Sequence, residues 1–489
     1  MAQTSFKWLA LLGGVALGTA SLAVAQDSGP LIDALVKKGI LNDQEAEEIR
    51  ADLVRDFGTT SSGKLDVSSG VTRLRISGDA RVRYQFDNEQ SNPAGAADDR
   101  DRNRYRYRVR LGFLADIGPK WTVATRLETA SGATSTNADF GSGTDNFDKA
   151  GDVVYFGQAY INYRDKDLLG SDALDLRFGK LPHKFFNPGV NGFWIDSDIN
   201  FEGAAQELVY NDLGIKDSKL SLRTGQFILN NNAANSGSTA TGSSTTYTFT
   251  GAGGALQRIV TTNNTATSPS LLLINQAEFA TKTFKLAPTY VMFAAPGEHD
   301  RSTVSTSTVT GYAVNGTPIF GPATVSTGQN NDTSVYNNLH AILLPLEYTM
   351  SLGAKPLALY GSYSYNFSGK QRAQRLANST TINDDASMYN LGVRYGENRL
   401  RGDYQLVGEY RYVGNGSYSS LLLDSDFNGG LLNGQGFIFS GTYSFTDSIT
   451  STITYFNSFN IEENLAAGAS RGNGFGSAQV LQIDLSARF

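Results

Sequence analysis

From Val71 to the terminal Phe489 the chain divides into segments of alternating polarity whose connections are sorted by length. Candidate strands fall at 71–86, 103–117, 120–130, 152–164, 173–181, 204–211, 218–230, 269–280, 283–294, 336–349, 354–367, 387–396, 401–413, 434–445, 448–458 and 479–489. Connections after odd-numbered segments are long: 87–102, 131–151, 182–203, 231–268, 295–335, 368–386, 414–433 and 459–478. Those after even-numbered segments are short, among them Gly118-Pro119, Asn211 to Asp217, Leu352-Gly353 and Thr446-Asp447. In an up-and-down sheet every odd segment ends at one rim, so the sorting puts all long loops on one side. A soluble sandwich has no reason for that, whereas an outer-membrane barrel has long external loops and short periplasmic turns. The predicted fold is all-β: a transmembrane antiparallel up-and-down β-barrel of about sixteen strands, with fourteen or eighteen if a hairpin is miscounted.

Alternation also assigns faces. In Arg104 to Phe113, Tyr105, Tyr107, Val109, Leu111 and Phe113 interleave with Arg104, Arg106, Arg108 and Arg110, and period two sends the two sets to opposite sides. The first strand sets Arg73, Arg75, Arg81 and Arg83 against Leu74, Ile76, Val82 and Tyr84, and the third sets Arg126 against Trp121, Val123 and Leu127. A cationic side chain on the lipid face costs roughly 2–4 kcal/mol at the midplane. The eight candidate pore-lining residues, Arg73, Arg75, Arg81, Arg83, Arg106, Arg108, Arg110 and Arg126, are therefore assigned to the lumen. Guanidinium stays charged at any accessible pH, so such a wall attracts anions. The competing expectation is local neutralisation by Asp79, Glu128 and facing acids. Few aromatics fall on the lumen side; Phe156 and Tyr160 are assigned there.

The N-terminal part differs. Lys7, an apolar stretch from Trp8 to Val24 and the small-x-small Ala23-Val24-Ala25 read as a signal peptide over 1–25. Residues 26–70 form a periplasmic helical segment and linker. Within it, 31–57 carry helical spacings, with Gly39 closing one helix and Asn42 and Glu45 forming a capping box for the next. Its apolar stripe suits self-association or a periplasmic partner, and 58–70 read as linker. The barrel occupies 71–489. No Cys is present, so disulfides are excluded. The 52 glycines and the 11% aromatic content suit strands and turns. No cofactor and no nucleic acid are expected.

The third long connection, PHKFFNPGVNGFWIDSDINFEG, is aromatic and acidic. Folded inward, it would set Asp196, Asp198 and Glu202 against the arginine wall and impose a transverse field on passing solutes. The same stretch resembles a calcium loop through Asp196, Asp198, Asn200, Glu202 and Glu207, although Phe201 stands where the sharp turn needs Gly. Catalysis is not expected: His183, His299 and His340 are the only histidines, none is in a short metal-ligand spacing, and no Gly-x-Ser-x-Gly elbow occurs.

The last strand alternates Leu481, Ile483, Leu485 and Ala487 with polar residues and ends on Phe489, similar to the signal read by the outer-membrane barrel-assembly machinery. With LIDALVKKGILNDQEAEEIRADL, GFLADIGPKWTVATRLETA, FGQAYINYRDKDLLGSDALDLRFGKLPHKFFNP and WIDSDINFEGAAQELVY, the chain resembles the putative porin family of Gram-negative bacteria over roughly residues 31–210. The resemblance implies an outer-membrane lipid setting, passive diffusion of small hydrophilic solutes and often a homo-trimer, and the arginine wall adds anions to the expected solutes. The arginine wall is similar to that of phosphate-selective porins, whose lysines have no match here. An anchor or adhesin barrel and a sugar-specific channel stay open as readings.

Overall fold

A computed structural model describes residues 68–90, 99–130, 135–141, 153–230, 242–249, 256–264, 270–294, 301–329, 339–370, 385–462 and 476–489, together with residue 373 and most of 32–50. The signal-peptide segment, residues 51–67 and His299 lie outside these. The chain divides into two compact units, Met1–Ser68 and Ser69–Phe489.

In the first unit, residues 44–50 are helical and the capping box is present. The Asn42 N–H donates to Glu45 Oε2 at 3.0 Å, and the Glu45 N–H donates to Asn42 Oδ1 at 2.8 Å. Each side chain thereby satisfies a backbone donor that the first helical turn leaves unpaired.

The second unit is a closed barrel of sixteen antiparallel strands. They are β1 (Val71–Gln90), β2 (Arg100–Ile117), β3 (Trp121–Ala130), β4 (Val153–Asp165), β5 (Ala173–Pro182), β6 (Asn200–Asn211), β7 (Lys219–Asn230) and β8 (Ser270–Ala280). Next come β9 (Phe284–Leu286 and Thr289–Ala294, interrupted at Ala287-Pro288), β10 (His340–Leu352), β11 (Lys355–Asn366) and β12 (Ser387–Gly396). The circuit ends with β13 (Tyr404–Val413), β14 (Gly434–Ser444), β15 (Ile449–Asn460) and β16 (Ser477–Arg488). Each strand pairs with the next, and β1 closes on β16 from Asp79↔Arg488 to Gln90↔Ser477. At the seam Gly78 and Phe489 exchange backbone bonds of 2.8 and 3.0 Å. The ring of Phe489 lies where a Cβ on Gly78 would come within 2.5 Å of it. Residues 71–77 of β1 extend past the C-terminal Phe489 and pair with β2 alone.

Two features differ from the sequence reading. The polar connections after β7 and β9 contain strands of their own, Gly242–Phe249, Leu256–Asn264, Arg301–Tyr312, Pro318–Phe320 and Thr324–Gln329, paired in a separate sheet. Their Thr and Val content is β-favouring even where nothing is apolar enough to signal burial. The third long loop is also shorter than expected, because β6 begins at Asn200 and takes Glu202 into the sheet.

The outward face is apolar over most of the circuit. Val82, Val109, Leu344, Leu391, Phe439 and Ile483 are all exposed there. Aromatic pairs mark both ends of the strands. Trp121–Tyr163 (4.7 Å) and Tyr443–Phe445 (5.2 Å) lie at the turn rim, and Tyr84–Tyr105 (5.4 Å) and Tyr389–Tyr412 (5.0 Å) lie toward the loops. Such belts seat at the two membrane interfaces. No described helix is long and apolar enough to cross a membrane.

Candidate functional site: the channel interior

Residues 183–199 leave β5 and contact strands around the whole circuit before joining β6. The Phe186 N–H donates to Gln276 on β8, Asn390 on β12 donates to the Pro188 carbonyl, the Val190 N–H donates to Glu409 on β13, and Arg108 on β2 donates to Asp198. A segment that touches so many sides of a closed cylinder lies inside it, which identifies the interior face. The loop folds on itself through Asn187, whose Oδ1 accepts from the N–H groups of Phe193 and Trp194 at 2.9 and 3.0 Å. Its Phe185, Phe193, Trp194 and Ile195 are buried against Phe227, Leu272, Ile274, Val291 and Leu343 of the inner wall. Removing each such side chain from luminal water contributes roughly 1.5–3 kcal/mol, so the inward position rests on apolar packing.

A second inward segment follows β13. Tyr418, Leu422, Leu423, Phe427 and Leu432 are buried, and the Leu422 carbonyl accepts from the Asp196 N–H at 2.8 Å. Arg411 pins both segments: it pairs with Glu409 (2.8 Å) and Asp424 (3.3 Å) and donates to the Val190 carbonyl. The sequence reading missed this cluster. Arg411 and Glu409 share the inward parity of β13, opposite Leu406 and Tyr410, which was the available signal.

Opposite the packed loops lies the arginine wall, and its cations are paired. Arg83 makes a two-pronged bond to Asp484 (2.7 and 2.9 Å). Arg108 and Arg110 share Asp79 (3.3 and 2.7 Å), Arg106 meets Asp139 (2.6 Å), and Arg126 meets Glu128 (2.8 Å). Arg81 donates to Asn137 and lies 3.8 Å from Asp484. Above them Arg102 and Arg104 share Asp87 at 3.0 Å each, a pair not singled out from sequence. Six of the eight candidate arginines thus gather on one stretch of interior wall. Arg73 and Arg75 do not: they stand on the β1 overhang, Arg73 bound to Asp116 at 2.6 Å and Arg75 exposed.

The three candidate loop acids separate. Asp198 reaches the wall, 3.3 Å from Arg108 and 3.9 Å from Arg110. Asp196 turns toward the second inward segment, accepts from the Asp198 N–H at 2.9 Å, and burial pushes its carboxyl up to about 6. Glu202 lies on the outward face of β6, 3.5 Å from Lys180 of β5. Its place in the constriction is corrected, because β6 starts earlier than predicted and parity sends position 202 outward.

The calcium arrangement is not formed. Asn200 accepts from Gln158 at 3.0 Å, Glu207 pairs with Arg223 and Lys184 at 2.8 and 3.3 Å, and Glu202 faces away. Among the described residues no acid or histidine cluster could hold a metal ion. His183 is enclosed near Phe185 and Phe201, where burial holds its imidazole down at about 4, and His340 starts β10. Phe156 also departs from its assignment. A bulge leaves Gly157 unpaired between Phe156 and Gln158, so the phase shifts and Phe156 faces outward, 62% exposed. Glu128 occupies the space over Gly157, where a Cβ would meet its carboxylate at 2.1 Å. Tyr160 keeps its inward position against the apolar cluster.

A closed sixteen-stranded barrel with an apolar exterior, two aromatic belts and a charged interior crossed by loops defines an outer-membrane channel. The chain belongs to the putative porin family, whose family model matches residues 73–489. Its setting is accordingly the outer membrane of a Gram-negative bacterium. Solved structures similar to it include the OmpF complex with daunomycin from Salmonella typhi (11% identity, TM-score 0.42, covering 87% of this chain and 100% of that one). Others are the high-pH structure of OprB from Pseudomonas putida (13%, 0.42, 89% and 97%) and the outer membrane channel DcaP of Acinetobacter baumannii (14%, 0.39, 87% and 99%). No curated protein matches the chain.

Proposed function

We infer that the protein is a passive pore for small hydrophilic solutes, with a modest preference for anions. The observation that carries this is the bridge between Asp198 on the crossing loop and Arg108 and Arg110 on the wall. It brings the loop's carboxylate against the cationic wall, so charged groups of both signs border the interior, a lining that favours polar solutes over apolar ones. The arginines favour anions, and their pairing with Asp79, Asp139, Glu128 and Asp484 keeps that preference small. Phosphate specificity has no support in this pairing. Insertion would proceed through the barrel-assembly machinery reading the Phe489 end, and the functional unit would be a homo-trimer. The helical unit at 32–50 would serve self-association or a periplasmic partner.

Single-channel recording of refolded protein in a planar bilayer under a salt gradient tests this. Discrete open steps with a reversal potential slightly toward the anion side are expected. Absence of steps from folded barrels would move the reading to an anchor.

A further inference from the structure

One stretch of the outward face departs from the apolar rule. On β5, position 180 shares the parity of Phe178, which is 49% exposed, so Lys180 points outward, as does its register partner Glu202. On β7, Thr224 and Gln226 share the parity of the exposed Leu222 and Ile228. Gln206 of β6 donates to Gln226 at 3.0 Å, Gln226 donates to Thr224 at 2.9 Å, and Asn275 of β8 is the register partner of Thr224. Gln206, Thr224, Gln226 and Asn275 stand midway along their strands, where most of the rest of the circuit shows apolar or aromatic residues. A carboxamide has two N–H donors and an oxygen with two lone pairs, and these contacts use only part of that capacity. Hydrocarbon offers no partner for the remainder.

We propose that this β5–β8 face is where a second copy of the chain docks, so that the stripe lies inside an oligomer and away from lipid. All copies enter the membrane in one direction, so a closed ring has its axis along the membrane normal and side chains meet others at their own height. The stripe suits that constraint. Lys180 and Glu202 satisfy each other at one level within one copy, and Gln206, Thr224 and Asn275 lie at another, with Gln226 beside them and donors and acceptors both available. At that second level Gln206 on the β5–β6 half of one copy can therefore meet Thr224, Gln226 and Asn275 on the β7–β8 half of the next. The small outward Ala204 and Ala277 let two walls approach closely. The inference names the face used by the trimer proposed above and does not depend on what passes through the pore.

The chain has no cysteine, so Gln206→Cys chains co-expressed with Gln226→Cys chains and oxidised in outer membranes report contact between the β5–β6 half of one copy and the β7–β8 half of the next directly. Leu391→Cys, on the outward face of β12, serves as the control. Disulfide-linked dimers from the two stripe positions but not from position 391 are expected. Dimers from position 391 alone, none at any position, or a stripe adduct of another mass would overturn the proposal. A second variant, Gln206→Leu with Gln226→Leu, keeps a folded barrel and is expected to shift the protein from oligomer to monomer in mild detergent. An unchanged oligomer would also overturn it.

Discussion

Arg108 Nη1 lies 3.3 Å from Asp198 Oδ1, joining the β2 wall to the loop that crosses the interior. Replacing Asp198 by Asn removes the loop carboxylate that meets the wall and leaves Arg108 and Arg110 sharing Asp79 alone. The reversal potential of Asp198→Asn in a salt gradient should move toward the anion side by a few-fold in permeability ratio, with the conductance step little changed. An unchanged potential would show that Asp198 sets no selectivity.

Arg411 holds both inward segments from a fully enclosed position. Arg411→Met leaves Glu409 and Asp424 buried without their cation, an arrangement that costs about 3–5 kcal/mol when one partner of a buried pair is removed. Urea unfolding of the barrel in lipid should shift to lower denaturant, and the open channel should become wider and noisier.

The contact of Asp196 with the second inward segment should depend on pH. Burial, followed by the nearby Asp198 and Asp426 carboxylates, raises this acid from its ordinary 3.8 to about 6, against backbone N–H bonds that lower it. The folded chain thus holds a proton that the unfolded chain gives up between about pH 4 and 6. The contact is strongest below this window and weakens as pH rises through it. Open-channel noise should grow from pH 5 to pH 7.5, and Asp196→Asn should abolish the difference.

Gly78 faces the terminal ring at the seam. Gly78→Val would bring a Cβ within 2.5 Å of the Phe489 ring and 2.6 Å of the Arg110 carbonyl. The folded, heat-modifiable fraction on a gel should fall, whereas Gly353→Val in the β10–β11 turn, where the space is open but φ is +64°, should cost only local backbone strain.

The sixteen strands were legible because period-two alternation and sorted connections are local properties, visible without knowing what touches what. The six clustered arginines followed from the same parity. Their acid partners did not, since Asp484 meets Arg83 only when β16 closes on β1, across nearly the whole chain. Phe156 was misassigned because one unpaired residue, Gly157, reverses the phase without altering composition. Glu202 was misassigned because a loop boundary four residues out changes which rule applies. The inward course of 183–199 was suggested by its aromatics, but their partners lie on β7 to β10, brought near only by the closed circuit.

The crossing loop packs against an apolar half of the wall and leaves the arginine half facing it through a single carboxylate. Bore and charge preference therefore reside on different strands. Substitutions at Phe227, Leu272, Ile274, Val291 or Leu343 can reset how much space the loop leaves without touching a permeating ion's partners, and substitutions at Arg106 or Arg126, which do not contact the loop, can change which ions are favoured without moving it. The size limit and the sign of selectivity are, in this barrel, separately adjustable.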